Sequence, residues 1–126
     1  MIETVDTSPD ITPAGDHKFT VSKPVIKKMT DNNKAYYIFK LEYVHEGVVK
    51  EHTEFIMAWQ AGPIIVALGG KETEKKGVYT WDRELVNGKS VDATIIHEPD
   101  FKDKTKTRAK MTNIREAKTD DSPLPF

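Results

Sequence analysis

Ala35-Tyr36-Tyr37-Ile38-Phe39-Lys40-Leu41-Glu42-Tyr43-Val44, a turn at Glu46-Gly47, and then Val49 to Trp59 form the stretch that decides the fold. Tyr37, Phe39, Leu41 and Tyr43 share one face, and Tyr36, Ile38, Lys40 and Glu42 the other, the two-residue period of a half-buried strand. The returning segment alternates as well, with Thr53, Phe55 and Met57 on one face and His52, Glu54 and Ile56 opposite. Matching the two apolar faces requires an odd loop, three residues centred on Gly47, so the expected inner face is Phe39, Leu41, Phe55 and Met57. A two-residue loop would set Phe39 beside Glu54 and slip the register. Trp59 has the parity of Phe55 and Met57, which favours the core for it over its other reading, a stacking platform.

Working outward, His17 to Ser22 alternates as a first strand, and Pro24 ends or bends it. Lys27-Lys28 and Asp31-Asn32-Asn33-Lys34 read as a polar loop before the hairpin. Beyond the hairpin, Gly62-Pro63-Ile64-Ile65-Val66-Ala67-Leu68-Gly69-Gly70 reads as a short helix, with Pro for its first turn and Gly for its stop, while the β-branched run leaves a buried strand open. Lys71 to Gly77 is a charged loop, Val78 to Trp81 a short extended piece, and Asn87-Gly88 a turn. Val91 to His97 alternates as a fourth strand, Glu98-Pro99-Asp100 breaks it, and a basic loop, Phe101 to Lys106, leads into a fifth, Thr107 to Ala117. Five strands with one short helix between the third and fourth is the order of an all-β, five-stranded OB-fold, a Greek-key barrel. Its strand 2–3 face and its loops 1–2 and 4–5 bind oligonucleotides.

At 126 residues there is room for one domain, and 37% apolar with 31% charged residues suits a modest core. The absence of cysteine excludes disulfides and thiolate chemistry and fits a reducing compartment. The start Met1-Ile2-Glu3-Thr4-Val5-Asp6 has no basic flank and no apolar run, so no signal peptide is expected. The longest apolar stretch, Pro63 to Leu68, is too short to span a bilayer, so no membrane partner is expected. The net charge of −1 hides a segregation. All 19 Lys and Arg lie in residues 17–118 with 14 of the 20 acids, giving that body about +5, while both ends hold acids alone. A basic body with acidic ends suits a polyanion-binding surface and a separate tail. Residues 1–14, with Pro9 and Pro13 among Thr, Ser and Asp, read as a flexible arm, 15–117 as the barrel, and 118–126 as a tail.

That tail ends Asp120-Asp121-Ser122-Pro123-Leu124-Pro125-Phe126. It resembles the C-terminal tip of bacterial and phage single-stranded DNA-binding proteins, which end in acidic residues, an aliphatic residue, Pro and Phe. The resemblance implies that Asp120, Asp121, Leu124, Pro125 and Phe126 recruit replication and recombination proteins. An aromatic anchor with a terminal carboxylate can be captured by an apolar pocket beside a basic residue. Ser122-Pro123 stands where stronger examples have further acids. The body resembles small phage and prophage OB-like proteins through Gly15 before Phe19-Thr20-Val21, the aromatic second strand, Leu85-Val86-Asn87-Gly88-Lys89, and Asn113-Ile114.

Single-strand binding needs flat side chains to stack bases and cations to follow phosphates. Tyr36 and Lys40 lie opposite the presumed core with Ile38 between them; Trp81 is a further platform, with a core position equally open to it. Lys27, Lys28, Lys34, Lys104, Lys106, Arg108 and Lys110 are the phosphate candidates. His45 and His52 do not oppose each other in the expected register, and His97-Glu98-Pro99-Asp100 lacks zinc-site spacing. Gly69-Gly70-Lys71 lacks the upstream Gly of a phosphate loop, and no serine sits in a nucleophile motif. The expectation is therefore a non-enzyme without cofactor or metal, coating single-stranded DNA in replication, recombination and repair in the cytoplasm of a bacterial host. A homo-oligomer is compatible with it. Rival readings are an RNA-binding OB module and a small phage assembly or inhibitor protein that binds protein only.

Overall fold

In the computed structural model, Ile2, residues 11–100 and residues 102–117 are described. The expected tail 118–126 and most of the expected arm lie outside them. Strand β3 (Ala35–His45) organises the sheet, because both of its edges are paired. On one edge it meets β4 (Val48–Met57) along its whole length. On the other it meets two short strands in turn: β1 (Gly15–Val21) through Leu41 and Glu42, and β2 (Ile26–Met29) through residues 35–38. The break between β1 and β2 falls at Ser22 to Val25, where Pro24 has no amide to give a ladder. β2 occupies part of the segment expected as a polar loop.

After β4 the chain makes a 3-10 turn at Ala58–Gln60 and a short helix, α1 (Gly62–Ala67), with Pro63 in its first turn as expected. Ala61, Ile64, Ile65 and Leu68 are buried, the i, i+3, i+4, i+7 stripe of an amphipathic turn, while Val66 is exposed. That spacing explains why a β-branched run is helical here. A small hairpin follows, β5 (Lys71–Glu72) with β6 (Tyr79–Thr80), then a 3-10 turn at Arg83–Val86. β7 (Ser90–Pro99) pairs with β1 on one side and β8 (Thr107–Glu116) on the other. In β8, Asn113 adopts φ +49 where the β7–β8 register shifts, a bulge that bends the strand.

The architecture is thus mostly β with one short helix. The sheet runs β4, β3, β1 with β2, β7, β8, and among the described residues β4 and β8 do not pair, so it is not closed into a barrel. Phe19, Val21, Phe39, Leu41, Ile64, Val91 and Ile95 form the fully buried centre. No helix among the described residues is long and apolar enough to cross a membrane.

The hairpin register is a correction. His45 pairs with Val48 across a two-residue turn, and Glu46 and Gly47 both have positive φ, +52 and +78, the signature of a type I′ turn. Phe39 therefore opposes Glu54 and Leu41 opposes His52, the arrangement the apolar match argued against. The buried members of β4 are His52 and Ile56, Glu54 is half-buried, and Phe55 is 64% exposed. Polar satisfaction makes this register tenable. A carboxylate only accepts, so His52 donates from Nε2 to Glu54 Oε1 (2.7 Å), and its Nδ1 accepts from the Thr12 hydroxyl (2.6 Å).

Thr12 lies within the expected arm, and there the chain is tied down. His97 Nε2 donates to the Thr12 carbonyl and His17 Nε2 to the Pro13 carbonyl, each at 2.7 Å. Three of the four histidines, from β1, β4 and β7, thus hold one short segment that bridges β4 to β7.

Candidate functional site

Cross-strand partners in an antiparallel pair share a face, so the register decides what is uncovered. On the outer side of β2–β3–β4 it assembles three rows: Lys28, Tyr36 and Met57; Ile26, Ile38 and Phe55; and Lys40 with Thr53. Ile26 and Phe55 are exposed, while Tyr36, Ile38 and Met57 are half-buried. The Tyr36 and Phe55 rings lie 6.5 Å apart at 44°. Lys28 and Lys40 are exposed at opposite ends of this apolar patch. A contiguous aromatic and aliphatic surface flanked by cations is the candidate contact surface.

The patch runs into a groove of about 560 Å³ where β4 and β8 fail to meet. Thr53, Glu54, Phe55 and Ile56 form one wall, residues 108–114 of β8 the other, with Gln60 and Pro63 at one end. Phe55 belongs to both patch and groove. On the β8 wall Lys110 stands opposite Ile96, and Arg108 is engaged by Glu98, with Nε and Nη2 at 2.8 and 2.6 Å from Oε1. The loop between β7 and β8 brings Lys104 and Lys106 to the surface. It is braced by Asp103, which accepts from the Thr105 hydroxyl (2.6 Å) and amide (3.1 Å). Those bonds, the hydroxyl first, hold the Asp103 carboxyl below the ordinary aspartate range.

Of the residues expected at a binding surface, Lys28, Tyr36 and Lys40 do share one face. Lys34 stands in the turn between β2 and β3, closed by Thr30, and is exposed beside that face. Lys27 opposes Tyr37, so it points to the other side of the β2–β3 ribbon. Lys104, Lys106, Arg108 and Lys110 form a second basic group along the loop and β8.

The two tryptophans exchange the places expected of Trp59 and open to Trp81. Trp81 is half-buried and packs against the core, T-shaped with Tyr37 at 5.3 Å and 87° and 6.1 Å from Phe39. Trp59, in the 3-10 turn after β4, is 74% exposed and is the better platform. Alternation does not single out Phe55, Ile26 and Met57 as surface groups, and parity assigns Trp59, otherwise a candidate platform, to the core. The signal for Phe55 was present in the competing parity of His52, Glu54 and Ile56. Trp59 lost its parity because the strand ends before it. Among the described residues no cluster of His, Asp and Glu is arranged to hold a metal ion. Set beside known protein families and curated proteins, the chain matches no family model and no curated sequence.

Proposed function

We propose that this protein binds single-stranded DNA on the outer face of β3–β4 and in the adjoining groove, as an OB-type barrel left open between β4 and β8. The strand order supports the fold reading, since β1 and β2 count as one strand broken at Pro24, with α1 between the third and fourth strands of the plan. The observation that carries the function is the outward-facing cluster of Tyr36, Ile38 and Phe55 lying between Lys28 and Lys40. Rings offer stacking to any base and the lysines follow phosphates, a combination that tolerates sequence. Strand coating in replication, recombination or repair follows from such binding. The terminal Asp120, Asp121, Leu124, Pro125 and Phe126 would then recruit partner proteins.

Titration with fluorescent oligo-dT, oligo-rU and duplex DNA tests this. Tight, salt-sensitive binding of oligo-dT over duplex supports the reading; preference for oligo-rU would make it an RNA-binding module. The exposed Val44, Val48 and Val49 at the tip of the β3–β4 hairpin favour a second reading, a barrel that contacts protein only. Failure of every oligonucleotide would select it.

A further inference from the structure

The groove contains a group that phosphate binding does not call for. Glu54 reaches it from the inner face of β4, with 13% of its side chain open. Its carboxylate is fixed rather than free to swing: His52 holds Oε1 at 2.7 Å, and His52 is held by Thr12, whose carbonyl is held in turn by His97. Phe55 is its neighbour on the same wall and Lys110 stands on the opposite wall. A buried-edge carboxylate beside an exposed ring repels backbone phosphate and accepts hydrogen bonds only. On a base that enters the groove past Phe55 the complementary groups are the exocyclic amines, which cytosine, adenine and guanine present on their pairing edges. Thymine offers one N–H flanked by two carbonyl oxygens, which meet a carboxylate with repulsion.

We infer that Glu54, held by the Thr12–His52 chain, gives the groove a preference for amino-bearing bases over thymine. The inference rests on the strand-binding reading above and adds a composition bias to it. Glu54 is the specificity-determining residue, and Thr12 and His52 are positioning residues.

The test is competition of oligo-dC against oligo-dT of equal length on the full chain at one salt concentration. Oligo-dC is expected to win by about fivefold, the size of one net hydrogen bond. Glu54→Gln should abolish the preference and raise oligo-dT affinity, since Gln keeps the acceptor for His52, loses the charge and adds a donor. Thr12→Val should lower the dC-to-dT ratio, which a merely structural residue would leave unchanged while both affinities fell. In the unaltered protein, oligo-dC with two methyl groups on each N4 should drop to oligo-dT affinity, a readout that needs no variant. Equal, tight binding of oligo-dC and oligo-dT, or a ratio that survives Glu54→Gln, overturns this inference alone. Binding of no oligonucleotide overturns it together with the strand-binding reading.

Discussion

Truncating Phe55 to Ala separates the observed register from the apolar alternative by magnitude. A phenylalanine side chain carries about 200 Å² of apolar surface. Phe55 keeps 64% exposure, so about 70 Å² is withdrawn from water, worth at most about 2 kcal/mol at about 25 cal/mol per Å². Phe39, on the adjacent strand and fully buried, should cost about 3–5 kcal/mol on the same truncation. Urea unfolding of Phe55→Ala and Phe39→Ala beside the parent measures both. Strand affinity should move the other way round. Phe55→Ala should weaken oligo-dT binding by about 1–3 kcal/mol, roughly five- to 150-fold, if a base stacks on that ring. A Phe55→Ala protein destabilised as much as Phe39→Ala would refute the register. One as stable as calculated but binding normally would remove Phe55 from the interface.

Trp81→Phe should retain an exposed-type emission from Trp59 that oligo-dT quenches, whereas Trp59→Phe should leave a blue-shifted signal that DNA barely alters; fluorescence titration of both decides it. Lys28→Ala and Lys110→Ala should each flatten the salt dependence of oligo-dT binding by about 0.7 in log–log slope, the single-strand value per phosphate contact. Asp103 should titrate below the ordinary aspartate range by NMR. Because its folded pKa is depressed, its contribution to loop order is present above the unfolded pKa and lost as pH falls through the folded one, so Asp103→Asn should loosen the loop at neutral pH. Deleting Asp120 to Phe126 should leave oligo-dT affinity equal or slightly higher and abolish capture of tail-reading partners; loss of DNA binding with capture intact would contradict it.

The features legible in the sequence were those whose cause is local. Pro63 and the spacing of Ala61, Ile64, Ile65 and Leu68 specify the helix, and Val91, Ala93 and Ile95 specify the inward face of β7. The β4 register was not legible, for two physical reasons. Glu at the first positive-φ position replaces the Asn or Asp that announces a two-residue hairpin. Hydropathy sends His52 and Glu54 outward, and the hydroxyl that makes His52 welcome inside belongs to Thr12, forty residues earlier. The same error hid Phe55 from the candidate surface. Tyr36 and Lys40 could be placed on the outer face because β3 alternates on its own evidence, whatever its partner does, whereas Lys28 joins them only because the expected loop pairs as β2.

The Thr12 tether also bears on where the domain begins. Composition suggests a start at Gly15, yet a chain trimmed there lacks the hydroxyl and carbonyl that His52 and His97 use. β4 then offers two competing pairings with β3: the present one, leaving His52 Nδ1 unsatisfied, and one shifted by a residue that buries Phe55 and Met57 instead. Such a chain is a candidate for conformational heterogeneity, visible as doubled amide resonances confined to β3 and β4. A single set of resonances, with Phe55 still on the surface, would show that the turn at Glu46-Gly47 sets the pairing unaided. Thr12 thus acts as a clasp, holding one of two nearly matched strand alignments in place.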